Sequence, residues 1–161
     1  MPDVYDTQTR SRVMRSVKSR DTKPEMRVRR TLHAMGYRFR LHRGDLPGKP
    51  DITLPRYRTV LFVHGCFWHQ HEACERAERP TSNTAYWQKK LSRNVERDYA
   101  NRLALEVAGW YVVTVWECEI DSAKNLADLL TERLTNQRFS VSPVSSPASS
   151  TGNVSVTSAS R

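Results

Sequence analysis

The sequence has no apolar run of about 18 residues, the length a membrane-crossing helix needs. Its first residues, MPDVYDTQTR, lack the apolar stretch of a secretory signal. Both absences lead one to expect a cytoplasmic chain with no membrane partner. Cysteine is scarce and odd in number: Cys66, Cys74 and Cys118. Three thiols in an intracellular chain argue against a disulfide framework and leave metal ligation or simple burial. Hydrophobic residues make up only 38% of the 161, enough for one domain with a modest core and a polar tail. Acidic residues are outnumbered, 17 against 26 Lys and Arg, for a formal net charge of +9.

That charge is unevenly spread. Residues 1–43 hold 12 Lys/Arg and 4 Asp/Glu, and the remaining 118 residues are close to neutral. A basic arm of this kind suits a polyanion, because neutralising phosphates releases counterions. A merely solvated basic surface, or an anionic membrane, would use the same residues.

The pattern divides the chain into three parts. Residues 1–20 read as a basic arm with a short helix around Ser11–Val17. Residues 21–139 read as the folded domain. Residues 140–161 hold nine Ser and a single charge, Arg161, and read as a disordered tail. Within the domain, Thr22 and Glu25 have capping-box spacing, with Pro24 in the first turn. Val28, Leu32 and Met35 share a helical face, and Gly36 supplies a stop. Tyr37, Phe39 and Leu41 alternate with polar residues, which predicts a half-buried strand. Strands follow at Asp51–Leu54 and Thr59–Val63, then a helix from Thr84 to Ala108. Leu91, Val95, Tyr99, Arg102 and Leu103 lie near one face of that helix. Trp110–Trp116 is a further strand, and Asp121 would cap a last helix through Gln137. The order α-β-β-β-α-β-α predicts a mixed α/β sandwich with helices on both sides of the sheet.

Two constellations carry chemistry. Cys66, His69, His71 and Cys74 fall within nine residues, and Cys118 follows a strand that can run beside the one ending at His64. Cys66, His71, Cys74 and Cys118 would close a tetrahedral zinc site and leave His69 for another role. The plainer alternative is three buried cysteines and a surface histidine. Asp51 opens one strand and His64 ends the next, with Glu25 and His69 nearby. In a sandwich-type nuclease such groups hold Mg²⁺ and move a proton from water. Each has a plain alternative too: Glu25 closing its capping box, Asp51 serving a turn, His64 bonding a backbone group. Beside these, Phe67 and Trp68 would project from the metal-pinned loop, where exposed rings can stack on bases. Of Tyr86 and Trp87, one ring is expected to pack inward.

Several motifs then coincide in order. They are R-S-x-x-M-R-S (Arg10–Ser16), R-D-T (Arg20–Thr22), L-P-G-K-P-D-I (Leu46–Ile52), H-G-C-F-W-H (His64–His69), N-V-E-R-D (Asn94–Asp98), G-W (Gly109–Trp110) and V-W-E-C (Val115–Cys118). Together they resemble the very-short-patch repair (Vsr) endonuclease family, over about residues 3–135. The resemblance implies a restriction-endonuclease-like fold and a bacterial, nucleoid-associated enzyme. It implies a nick 5′ to the T of a T·G mispair left by deamination of 5-methylcytosine. Asp51 would be the main Mg²⁺ ligand with the Val63 carbonyl. Glu25 and His64 would hold waters around the metal, and His69 would act as general base or orient the nucleophile. Cys66, His71, Cys74 and Cys118 would hold a structural Zn²⁺. Phe67, Trp68 and Trp87 would intercalate beside the mispair, with Met14 pressing in from the other groove. A monomer on double-stranded DNA, followed by downstream repair proteins, is the expected setting. The family places one residue between the second and third zinc ligands, whereas here Glu72-Ala73 intervene. Two other classes use part of the same pattern: a zinc-stabilised DNA-binding module without catalysis, and a restriction enzyme cutting both strands.

Overall fold

A computed structural model describes residues 6–139. The expected tail lies outside these residues. Helix α1 spans Thr7–Ser16, and α2 spans Lys23–Ala34. The α2 capping box forms as its sequence dictates: Glu25 N–H donates to Thr22 Oγ1, and Thr22 N–H donates to the Glu25 carboxylate. Strand β1 (Arg40–Leu41) pairs antiparallel with β2 (Ile52–Leu54), and β2 antiparallel with β3 (Thr59–His64). The long helix α3 (Thr84–Val107) crosses over to β4 (Tyr111–Trp116), which pairs parallel with β3. Two helices follow, α4 (Glu117–Ser122) and α5 (Leu126–Phe139). The strand order is β1-β2-β3-β4.

Alternation along the strands makes two cores. Ile52, Leu54, Leu61, Val113 and Val115 face one way and pack on Val28, Leu32, Ile120, Leu130 and Leu134 of α2, α4 and α5. Val60 and Val112 face the other way and pack on Leu105 of α3. The sheet is therefore mixed and covered on both faces, as expected. The same alternation turns Asp51, His64 and Trp116 towards the α3 side, where a cleft opens.

Three expectations need correction. The alternation at Tyr37–Leu41 yields only two ladder residues, although Tyr37 and Phe39 still pack against the core. Asp121 does not cap the last helix. It lies inside α4 and pairs with Arg27 (3.1 Å) and Arg76 (2.7 Å), while Asn125 Oδ1 accepts the Ala127 N–H at the start of α5. The break after Ser122 lets α4 carry Cys118 in its first turn. The inward face of α3 is also different from the one expected. Val95, Tyr99 and Leu103 are exposed, and Arg102 pairs with Glu106 at the surface. The buried positions are Trp87, Leu91 and Leu105. Continuing their heptad spacing between Leu91 and Leu105 gives Asn94, Asp98 and Asn101, all polar and all lining the cleft.

Candidate active site and metal centre

The cleft is lined by residues from α2, β3, β4, α3, α4 and α5 and from the loops before and between them. Glu25 comes from the first turn of α2, and His42 from the loop after β1. Asp51 leads into β2, and Val63 and His64 end β3. His69 comes from the loop beyond, and Asp98 from α3. The basic residues Lys18, Arg20, Lys49, Arg97, Arg102 and Arg133 line the same cleft. The turn before Asp51 is built against α3. Gly48 has φ +72°, and a Cβ there would come within 2.9 Å of Asn101 Nδ2.

Asp51 Oδ2 accepts the Val63 N–H at 2.8 Å. Burial, opposed by that hydrogen bond and reinforced by the charge of Glu25, raises the Asp51 carboxyl to about 6. A carboxylate held in this way is under-compensated, which is the condition a cation relieves. Glu25 is 2% exposed, and both its oxygens are engaged. Oε1 meets Arg29 Nη2 and lies 3.1 Å from His42 Nε2; Oε2 takes the Thr22 N–H. Arg29 Nη1 also donates to Asp21 at 2.6 Å. Asp21, Glu25 and His42 are close enough to suggest a metal site, but a guanidinium already joins them. The capping and electrostatic roles of Glu25 therefore coexist.

His64 and His69 stack face to face, with centroids 3.8 Å apart and planes 5° apart. His69 Nδ1 lies 2.5 Å from Asp98 Oδ2. Burial works against the charge on Asp98, yet the hydrogen bond and charge of His69 prevail and hold its carboxyl below the ordinary value. Burial, and then the neighbouring His69, push His64 down to about 3, so its imidazole is neutral at working pH. Asp98 was legible only as part of a motif, without a role. Its signal was the polar stripe Asn94–Asp98–Asn101 on an otherwise inward helix face. Asn94 adds to it, since its Nδ2 donates to the Trp68 carbonyl at 3.1 Å.

Cys66, His71, Cys74 and Cys118 converge, each offering a ligand atom within 4.8 Å of the others. His71 Nδ1 is 3.3 Å from Cys118 Sγ and 3.7 Å from Cys66 Sγ. All three cysteines are free thiols. Burial, and then the other two sulfurs, push the Cys118 thiol up to about 12. Three thiols and an imidazole crowded around one point suit a soft or borderline cation, which turns their mutual repulsion into ligation. Ala73, just before Cys74, has a left-handed backbone, φ 54°.

Next to this cluster, Phe67 contacts Trp68 edge-on at 5.0 Å and Trp87 at 5.4 Å. Trp87 is the ring that packs inward, at 5% exposure, while Tyr86 points outward. Lys90 Nζ sits over both Trp68 (5.5 Å) and Tyr86 (5.6 Å). Met14 lies half-buried on α1 and is not among the residues lining the cleft; Val17 and Lys18, just beyond α1, are. No helix among the described residues is long and apolar enough to cross a membrane.

A carboxylate in a basic cleft, a histidine–carboxylate pair and half-buried rings beside them suit hydrolysis of a nucleic acid backbone. Comparison with known proteins gives the class a family. Residues 2–76 match the model of the DNA mismatch endonuclease Vsr. The type II nicking enzyme V.XorIIP of Xanthomonas oryzae pv. oryzae is 49% identical over 120 residues, covering 74% of this chain and 88% of that protein. The DNA mismatch endonuclease Vsr of Escherichia coli is 44% identical over 135 residues, covering 83% and 86%. The type II nicking enzyme V.NmeAIP of Neisseria meningitidis is 46% identical over 120 residues. The chain belongs to the Vsr family of DNA mismatch endonucleases.

Proposed function

We propose that this chain uses Mg²⁺ to nick one DNA strand on the 5′ side of the T in a T·G mispair. One observation carries the reading. Trp68 of the aromatic cluster and His69 of the histidine–carboxylate pair are consecutive, and both are anchored on α3, by Asn94 and Asp98. A ring that senses the stack and a group that moves a proton are thereby one rigid unit.

The donors near Asp51 fit a hard cation. They would be the half-buried Asp51 carboxylate and the Val63 carbonyl, with Glu25 and His64 ordering water around them. When bound, Mg²⁺ would polarise the phosphate and ease ionisation of water. The chain's own residues do the rest. Asp98, ionised and acceptor-only, takes the proton-bearing Nδ1 of His69. This leaves Nε2 as the acceptor for a proton from the attacking water. Neutral His64 supports the His69 ring without competing for charge. Arg29 pins Glu25 against the cleft wall. The cluster of Cys66, His71, Cys74 and Cys118 would hold a structural Zn²⁺ that fixes the loop. Phe67 and Trp68 would enter the stack beside the mispair with Trp87 behind them, and Met14 would come from the basic arm. A wobble pair stacks less well than a Watson–Crick pair, so the wedge costs less there. The mixed sheet with its α3 crossover supports a restriction-endonuclease-like core. One cleft cutting one strand needs only a monomer, leaving the nick to other repair proteins.

Strand-resolved cleavage of T·G and T·A duplexes, with and without Mg²⁺, tests the reading. Nicking confined to the T strand of the T·G duplex and dependent on Mg²⁺ is expected; cutting of both strands, or of T·A equally, would refute it. In the same assay Trp68→Ala should lower the T·G to T·A ratio by about 10-fold, the worth of one stacked base. An unchanged ratio would dismiss the wedge. Asp98→Asn should slow single-turnover nicking by about 100-fold with mismatch binding intact, because an uncharged amide no longer stabilises the imidazolium that forms as His69 takes the proton. A wild-type rate would remove the pair from the mechanism.

A further inference from the structure

Four rings stand in series between the cleft and the cysteine cluster. His69 stacks on His64 at 3.8 Å. His64 meets Trp116 edge-on, with centroids 5.3 Å apart and planes at 70°. Trp116 in turn stacks on His71, at 4.2 Å and 8°. His71 belongs to the cluster of three cysteines and one histidine, while His64 and His69 belong to the cleft. The Trp116 indole is thus in contact with both centres.

The His64 ring is held from two sides, by the face of His69, itself bonded to Asp98, and by the Trp116 indole. Among the described residues its ring makes no hydrogen bond. Its neighbours are Phe62 at 5.6 Å, His69 and Trp116. The second side-chain torsion of histidine is intrinsically broad, so packing decides the ring orientation. Trp116, by contrast, is held firmly. It pairs with His64 in the parallel β3–β4 register. Its backbone N–H donates to Glu119 Oε2 at 3.0 Å, and Glu119 is paired with Arg133 of α5.

We infer that Trp116 is a positioning residue. It takes its place from β4 and from the stacked His71, and it buttresses His64, which in turn backs the His69 ring that Asp98 orients. The inference rests on the proposed roles of those histidines. It gives the soft-metal cluster a second connection to the chemistry, besides the chain segment 64–71 that they share. Geometry of this kind matters because a displacement of about 1 Å at a reacting group can cost about 100-fold in rate.

The test compares Trp116→Leu and Trp116→Phe with wild type, all in the metal-loaded form. Four quantities are read: metal content, mismatch-duplex affinity, single-turnover nicking at saturating duplex, and histidine ring-proton shifts by NMR. The chain has five histidines, so the rings can be resolved. Trp116→Leu should keep its metal and bind duplex within about 2-fold of wild type. Its nicking should be slower by about 10- to 100-fold. The protons of His64 and His71 should lose their ring-current shifts while those of His33 stay put. Trp116→Phe, which restores a flat ring, should recover most of the rate. Nicking by Trp116→Leu at the wild-type rate would overturn the inference alone. So would a loss of metal from Trp116→Leu that accounts for the lost activity, since Trp116 would then be scaffold for the cluster. A wild type that does not nick mismatched duplex would overturn the nuclease reading itself and this role with it.

Discussion

Replacing Asp51 with asparagine is expected to abolish nicking and, at pH 7 without added divalent ion, to make the chain more stable to heat than wild type. The folded protein raises the Asp51 carboxyl from 3.8 to about 6, chiefly by burial. A raised folded value means that this carboxyl's contribution to stability is fully present below about pH 4 and is lost as the pH rises through 6. The wild type therefore carries a burden at neutral pH that an uncharged side chain avoids. The shift sets an upper bound of about 3 kcal/mol, and partial exposure reduces the expected gain to about 1–2 kcal/mol, or several degrees in Tm. Asparagine can still accept the Val63 N–H through its carbonyl oxygen, so the local fold is kept. Thermal melts of both proteins from pH 4 to 7 check the sign: the two should converge near pH 4 and separate above it. Adding Mg²⁺ should then raise the wild-type Tm and leave that of Asp51→Asn unmoved, because only a native state that binds the ion is stabilised by it. Equal melting temperatures at pH 7 would show that the fold does not press on this carboxyl. Retained nicking would remove Asp51 from the reaction.

What the sequence made legible, and what it did not, follows from the range of each interaction. The α2 start was readable because a capping box is a four-residue device, and Thr22 and Glu25 form it. β3 and β4 were readable because buried parallel strands are continuous apolar runs. The cysteine cluster was readable from ligand type and spacing, and the four ligand atoms do converge. The inward face of α3 was misread for a physical reason. A helix that walls a polar cleft turns polar residues inward, so Asn94, Asp98 and Asn101 looked solvated while Val95, Tyr99 and Leu103, which looked like core, are exposed. Arg29 and His42 were invisible for another reason. Their meaning lies in contacts with Glu25 and Asp21 across 4 to 21 positions; only the Glu25–Arg29 pair has a local spacing, and that spacing alone reads as an ordinary helix-face ion pair. Trp116 read as a strand residue; its contacts with His64 and His71 exist only once β3 and β4 pair.

Cys118→Ser is expected to have the widest effect of any single substitution, on metal content, folding, nicking and mismatch discrimination together. The residues between β3 and α3 contain only one short 3₁₀ turn, Glu75–Ala77, as regular structure. A connection of about 20 residues with so little of its own structure needs a fastening to hold one shape. Cys118, 47 residues from His71 along the chain, would supply that fastening by closing the cluster. Serine is a poor ligand for a borderline metal, and its loss leaves two thiols and an imidazole crowded without a fourth partner. Structural sites of this kind contribute folding energy directly, so Tm should fall by about 10 °C or more. The pattern distinguishes this failure from the others. Asp51→Asn removes chemistry and leaves the fold, and Trp68→Ala removes discrimination and leaves the chemistry. Cys118→Ser should remove both, because His69 and Trp68 ride on the same fastened loop. Cys118→His, which restores a ligand atom, should recover metal and part of the stability. Native mass spectrometry of the purified chain, followed by melts of the three proteins, decides the matter: a wild type that carries no metal and melts unchanged by chelator would end the structural-metal assignment.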